Sequence, residues 1–385
     1  MPRSRRMRRV MPPVLELATV FLRLGLTAFG GPAAHVALME TELVRRRQWL
    51  SAERFLDLFG AANLLPGPSS SELAIFIGYE RAGLLGLVIA GVCFILPAAL
   101  LAGGLAAAYV RFGALPQVAG LLYGVKPVII AIVVQAIWGL APKALKSRTL
   151  AGVGLAAAVA SVCGVDALAV FLGAGLLAVL SSKFASRTLD ASSFAALLGP
   201  GALGSAAPIT LLGIFGVFLK LGAVVFGSGY VLVAFLREDL VNRLHWLTER
   251  QLLDAIAVGQ ITPGPVFTTA TFIGYLLAGP LGAALATIAI FLPGFVFVAL
   301  GRPLLARLRR SPVAGTFLDG VNAAALAVMC VATAQLARAA LVDALTLLLA
   351  LAALAALRSK LNSVWLIAGG ALVGIARALF SHTFL

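Results

Sequence analysis

Charge is scarce in this sequence. Only 12% of its 385 residues are Asp, Glu, Lys or Arg, against roughly 25% in an ordinary soluble domain. Hydrophobic residues make up 61% and the mean hydropathy is +1.04. That balance excludes a soluble globular chain and reads as an all-α polytopic membrane protein. Acidic residues are scarcest, 15 against 30 basic, which leaves a net charge of +15 and a pI of about 10.8. Such an excess can mark nucleic-acid binding. Here the basic residues stand in short clusters between apolar runs, as expected of cytoplasmic loops that retain Lys and Arg. No nucleic-acid partner is therefore expected; the lipid bilayer is. The three cysteines (Cys93, Cys163, Cys330) and three histidines (His35, His245, His382) show no metal-ligand or redox spacing, so no cofactor is expected. There is no Walker box, no HExxH and no credible nucleophile–base pair, which argues against ATP hydrolysis and against a membrane-embedded enzyme. No small-residue cleavage site follows the first apolar run, so residues 1–13 read as a basic cytoplasmic tail.

What the chain does have is a duplicated break. Asn63-Leu64-Leu65-Pro66-Gly67-Pro68-Ser69-Ser70-Ser71-Glu72 is answered by Gln260-Ile261-Thr262-Pro263-Gly264-Pro265-Val266-Phe267-Thr268-Thr269. Two prolines remove amide donors and flank a glycine that is forced out of helical geometry. Both flanks are apolar enough to lie in lipid, where non-helical backbone is tolerated only inside protein or beside a watery cavity. A paired break in two halves points to a transporter's binding site.

The register of the repeat extends far beyond these boxes. Phe21-Leu22-Arg23-Leu24-Gly25 matches Phe218-Leu219-Lys220-Leu221-Gly222, and Trp49 matches Trp246 at an offset of 197 residues (246 − 49). One residue is lost after the break, so that Gly78-Tyr79 matches Gly274-Tyr275 and Pro97 matches Pro293 at an offset of 196 (293 − 97). The chain divides into the tail, a first transmembrane repeat over 14–182, a Gly/Ser/Pro-rich connector over 183–208 and a second repeat over 209–385. Each copy predicts a first helix (14–34), a Pro-Gly-Pro segment (55–79), a long apolar run (84–109) kinked or divided near Pro97, another (118–140) and two short ones (149–163, 167–181). The connector could add a weak span around 194–207, which puts the total between ten and thirteen. Lys143, Lys146 and Arg148 crowd one loop of the first copy, whereas Arg302, Arg307, Arg309 and Arg310 crowd a non-equivalent loop of the second. That swap predicts an inverted-topology repeat. The Arg45-Arg46-Arg47 loop fits only if one segment is re-entrant.

At Phe29-Gly30-Gly31-Pro32 with His35, at the first Pro-Gly-Pro box through Gly78-Tyr79, and at Phe94-Ile95-Leu96-Pro97, the chain resembles the chromate transporter family in its long, two-domain form. Phe226-Gly227-Ser228-Gly229-Tyr230 and Val258 through Pro265 to Gly274-Tyr275 carry the likeness in the second half. The resemblance covers nearly the whole chain. It implies export of chromate across the inner membrane, with sulfate as an analogue, driven by the membrane energy gradient, and chromate resistance as the outcome. Family boxes often carry Asn or Thr where Ser69-Ser70-Ser71 stands.

A tetrahedral dianion needs positive charge and many donors. Arg23 and Lys220, symmetry mates in apolar helices, are the first candidates, because a charge at the membrane centre costs about 2.5–3.5 kcal/mol and usually faces a cavity or a partner. The alternative is that one or both snorkel to the interface. Half-helices restarting after each break would offer amides and a positive dipole end. Gly67, Ser69, Ser70, Ser71, Gly264, Thr268 and Thr269 are candidates there, although a hydroxyl at such a position can equally cap the helix. Gly30, Gly31, Gly227 and Gly229 would allow close approach to ligand or close helix packing. Asn63 and Gln260 precede the breaks and would satisfy freed backbone groups or touch ligand. Glu72, an intramembrane carboxylate whose aligned place is Thr268 or Thr269, is the candidate for ion coupling, or else a counter-charge for Arg23. Asp57 and Asp254 are expected in interfacial salt bridges, with Lys126 and His35 as lesser site candidates. The leading function is a secondary oxyanion transporter working by alternating access; a passive anion channel or a carrier of another oxyanion such as sulfate is the alternative. A homodimer is compatible with this reading.

Overall fold

The computed structural model describes residues 13–29, 31–113, 115–183, 208–226, 229–359, 361 and 363–383. Among these residues the chain is helical, with no named strand. The first half supplies α1 (Pro13–Thr27), α2 (Gly31–Met39), α3 (Ala52–Ala62), α4 (Ser69–Phe112), α5 (Pro116–Ala144), α6 (Arg148–Val162) and α7 (Ala167–Lys183). The second supplies α8 (Leu211–Val224), α9 (Val231–Leu236), α10 (Glu249–Ile261), α11 (Thr269–Arg310), α12 (Pro312–Ala340), α13 (Ala344–Arg358) and α14 (Ser363–Thr383). The repeat is visible element by element. Each half carries a π-helical turn, Glu40–Arg46 and Arg237–Arg243, and each long helix folds back at an Ala-Gly pair, Ala82-Gly83 in α4 and Ala278-Gly279 in α11.

Two boundaries differ from the sequence expectation. The first helix does not run unbroken over 14–34: it stops at Thr27 and restarts at Gly31, which has φ +80° and is followed by Pro32. The long apolar run over 84–109 is not divided at Pro97, which sits inside continuous helix; the chain turns just before the run, at Ala82-Gly83, where Gly83 has φ +59°. Proline is tolerated within a membrane helix whose neighbours satisfy the freed carbonyl. The connector and the span expected near 194–207 lie outside the described residues, as does most of the basic tail.

Half-length helices paired as hairpins account for much of each copy. Glu16, at the start of α1, pairs with Arg47 beyond the first π turn at 2.8 Å. α1 therefore goes in and α2 with its π turn comes back to the same end. Arg54 at the start of α3 pairs with Glu80 at the far end of the short first section of α4, and Arg81 stacks on Trp49 at 4.7 Å. The Pro-Gly-Pro segment is thus a second hairpin returning to that end. Only four helices among the described residues are long and apolar enough to cross a membrane, fewer than a count of ten to thirteen spans assumes.

The ends of the bundle can be told apart by two contacts. α5 is 29 residues of continuous helix, roughly 43 Å long. Tyr123 near its start bonds Asp343 at 2.6–2.7 Å, and Lys146 just past its end pairs with Asp319 at 2.7 Å. Tyr123 and Asp319 are repeat mates (319 − 123 = 196), so equivalent residues lie at opposite ends. We call the end with Glu16, Arg47 and Lys146 the first end, and that with Tyr123 and Asp343 the second. The halves are also interlocked. Gly120 and Gly124 of α5 meet the backbone of Gly374 and Gly370 of α14, while Gly320 of α12 meets Ala174 of α7. Small residues at these crossings let backbones approach closely, the packing mode available where lipid removes the hydrophobic drive. Leu84, Leu85, Val88, Val92, Leu96 and Leu100 stay exposed along α4, a surface suited to acyl chains.

Candidate functional site

The hairpins of the two halves meet at their tips. Gly67 donates its amide hydrogen to Val225 at 2.7 Å, Pro66 bridges antiparallel to Phe226, and Gly264 donates to Ala28 at 2.8 Å. Each Pro-Gly-Pro tip is therefore stitched to the helix break of the other copy. Gly67 and Gly264 hold φ of +128° and +91°, values open to glycine and strained for residues with a Cβ. The extended backbone is satisfied chain to chain at the centre of the molecule, where no helix ladder serves it.

Beside this junction lies a cavity of about 830 Å³. α2 and α3 of the first half, the start of α4, the C-terminal half of α5, and α9 and α12 of the second half enclose it. Its polar lining is Asn63, Ser69, Gln135, Tyr230, Asn322 and Lys143. Among the described residues lysine is its one charged lining residue, and no carboxylate lines it. Since Lys143 and Ala144 close α5, the cavity reaches toward the first end.

Several expected residues gather here. Asn63 is the C-cap of α3 and is exposed to the cavity; Ser69, at the first turn of α4, also lines it. The positive end of the α4 dipole is thereby turned toward the space. Ser70 is buried and lies 3.2 Å from His35 Nδ1. Ser71 Oγ, both oxygens of Glu72, His35 Nε2 and Gln260 Nε2 are buried without a hydrogen-bond partner. Buried polar atoms are satisfied in the great majority of cases, so this concentration of exceptions next to the tips marks a place made for something polar. Glu72 is fully buried beside Gly67 and Gly294, and among the described residues no cation pairs with it. Gln260 is hydrogen-bonded to Tyr230, and Gly31 lies close to the same tyrosine hydroxyl. Gly229 packs near Val266 and Phe267. Gly30 and Gly227 lie outside the described residues.

The second tip is used differently. Thr268 and Thr269 turn their hydroxyls back onto the carbonyls of Pro265 and Val266, both at 2.8 Å. They donate to local carbonyls, which is not the capping contact, in which the side-chain oxygen accepts from free amides. At the first tip the N-cap of α4 is Pro68, which offers no side-chain cap.

Arg23 and Lys220 are not brought together. Arg23 is exposed on α1. Lys220 Nζ lies 3.0 and 3.1 Å from the carboxylate of Asp239, which also takes Arg243 at 3.0 Å, and Asp166 is 3.9 Å away. Asp254 has the salt bridge expected of it, but in the interior: it is fully buried, with Lys126 Nζ at 2.9 Å and the Tyr109 hydroxyl donating at 2.8 Å. Its mate Asp57 is exposed. Sequence reasoning missed Gln135, Tyr230, Asn322 and Lys143. Lys143 read as a loop charge; its helical phase with Gln135, eight residues earlier, was the available signal.

Comparisons with known proteins agree with one another. The family model described as chromate transporter matches residues 15–179 and again 212–375. A chromate transport protein of Cupriavidus metallidurans is 38% identical over 377 residues, covering 95% of this chain and 94% of its own. A probable chromate transport protein of Synechococcus elongatus is 35% identical over 372 residues (94% of each chain). A chromate transport protein of Pseudomonas aeruginosa is 33% identical over 388 residues (95% and 93%). No solved structure matches the chain.

Proposed function

From the fact that this chain belongs to the chromate transporter family, we propose that it exports chromate across the inner membrane as a secondary active transporter, by alternating access. It acts as a transporter and not as an enzyme. The observation that carries this reading is the cavity's lining beside the paired helix tips: among the described residues, one lysine, five polar side chains and no carboxylate. Such a space suits a tetrahedral dianion. Lys143 would meet it near the mouth, and Asn63, Ser69 and the start of α4 would meet it at the base. Sulfate, of the same shape and charge, is the expected competitor.

The first end carries Arg45, Arg46, Arg47, Lys143 and Lys146, so we assign it to the cytoplasm. The repeat is then inverted in the bilayer, and the cavity faces inward, as an exporter waiting for substrate requires. Glu72, an unpartnered intramembrane carboxylate at the junction, is the group we assign to coupling with protons. The substrate site so drawn centres on the first tip and Lys143, with Arg23 and Lys220 outside it. Chromate binding to purified protein tests the site. Lys143→Gln should weaken it about tenfold, the loss of one charged hydrogen bond of about 1.5 kcal/mol. Unchanged affinity would remove Lys143 from the path.

A further inference from the structure

The open cavity has a collapsed counterpart. Ile132, Ala136 and Gly139 face the cavity; their mates at an offset of 196 (332 − 136) are Val328, Ala332 and Gln335. Those three line a cleft of only about 20 Å³ toward the second end, together with Arg237. The same asymmetry holds for other lining residues. Val36 and Phe59 face the cavity, whereas their mates Val233 and Ile256 are 3% and 2% exposed.

Ionic contacts differ between the two ends in the same sense. Lys126 of α5 reaches Asp254 of α10 at 2.9 Å, and Tyr109 of α4 holds the other carboxylate oxygen at 2.8 Å. Three helices are joined near the second end by one buried carboxylate. Arg237 adds a second tie, to Glu249 at the start of α10 and to Gln335 of α12. The repeat mates cannot form either ion pair. Lys126 corresponds to Asn322, Tyr109 to Leu305, Arg237 to Glu40, Glu249 to Ala52 and Gln335 to Gly139. Asn322 and Gly139 instead line the open cavity.

We propose that the Lys126–Asp254 ion pair, capped by Tyr109, is the latch that closes the second end, and that its opening creates a second anion vestibule lined by the mates of the present cavity. In that state Lys126 occupies the place Asn322 holds now, and, freed from Asp254, it offers the departing dianion a cation. The proposal rests on the alternating-access reading above. The chemistry is consistent with a switch. Removing one partner from a buried pair leaves an uncompensated charge, so the closed state loses support while the state in which the group meets water does not. An equilibrium between two arrangements follows the difference in their stabilities.

The test uses full-length protein with its three cysteines replaced, in membrane vesicles of both orientations, and an impermeant thiol reagent. With no other change, Ala136→Cys should react from the first face, and Ala332→Cys should react far more slowly from the second. Adding Asp254→Asn should raise the Ala332→Cys rate at least about tenfold and lower the Ala136→Cys rate. The charge swap Lys126→Asp with Asp254→Lys should restore both. Should Asp254→Asn fail to fold, Tyr109→Phe, which removes only the hydroxyl, should give a smaller rise in the same direction. Unchanged rates in a folded Asp254→Asn or Tyr109→Phe protein would overturn the latch. Rapid reaction of both cysteines in the otherwise unaltered protein would overturn the alternating-access reading itself, a different result.

Discussion

Gly67 donates its amide hydrogen to the Val225 carbonyl at 2.7 Å, tying the hairpin tip of one half to the helix break of the other. Its repeat mate Gly264 makes the corresponding bond to Ala28 at 2.8 Å. Neither half therefore completes its own centre. The paired bonds place irregular backbone where two half-length helices face each other, which is where a carrier can present dipole ends to an ion without leaving amides bare in lipid.

Replacing Gly67 should damage this junction directly. An alanine Cβ would stand 2.5 Å from Glu72 Oε1 in a backbone conformation at φ +128°. Gly67→Ala should cost about 1–3 kcal/mol, read as a lowered thermal midpoint in detergent together with lost chromate flux. A protein of ordinary stability and full flux would show that the tip tolerates relaxation.

Topology is accessible to labelling at exposed positions. In a cysteine-free background, Arg46→Cys and Lys146→Cys should react from the same face of the membrane. Val342→Cys, the mate of Lys146 (342 − 146 = 196), should react from the opposite one. Reaction of all three from one side would exclude the inverted arrangement.

Lys220 separates a structural charge from a binding one. Asp239 is 1% exposed and takes Lys220 and Arg243 at 3.0 Å each. Lys220→Met should therefore lower stability by about 1–3 kcal/mol, leave chromate affinity in the surviving protein nearly unchanged, and be rescued by Lys220→Arg. A selective loss of affinity at normal stability would return Lys220 to the substrate site.

How much of this was legible in the sequence depends on the residue. The repeat register was, because Trp49 and Trp246, the two Pro-Gly-Pro boxes and the Gly78-Tyr79 and Gly274-Tyr275 pairs stand at fixed offsets. The breaks at Gly67 and Gly264 were also legible, since Pro-Gly-Pro leaves few backbone options. Which segments fold back as hairpins was not: hydropathy measures how apolar a run is, and an apolar half-helix that turns back scores like one that crosses. Arg54 and Glu80, whose contact reveals the return, are 26 residues apart and unremarkable singly. The cavity was hidden for a related reason. Ser69 and Asn63 come from one half, Tyr230 and Asn322 from the other, and only the interlocked packing puts them together. Arg23 and Lys220 misled because symmetry of sequence need not be symmetry of environment: Lys220 has Asp239, whereas the mate of Asp239 is Glu42, which turns to Arg46 and Arg47.

Coupling can be isolated at Glu72. Glu72→Gln keeps size and burial but removes the ionisable carboxyl. The variant should still exchange chromate for chromate and should lose accumulation driven by a pH gradient. Normal pH-driven accumulation in Glu72→Gln would take the coupling role away from this residue.

Labelled chromate uptake into proteoliposomes under an imposed proton or counter-anion gradient tests the central claim most directly. The account predicts saturable accumulation above the external concentration, competed by sulfate and weakened by Lys143→Gln. Flux that only runs down the chromate gradient, without saturation, would contradict it and identify a channel.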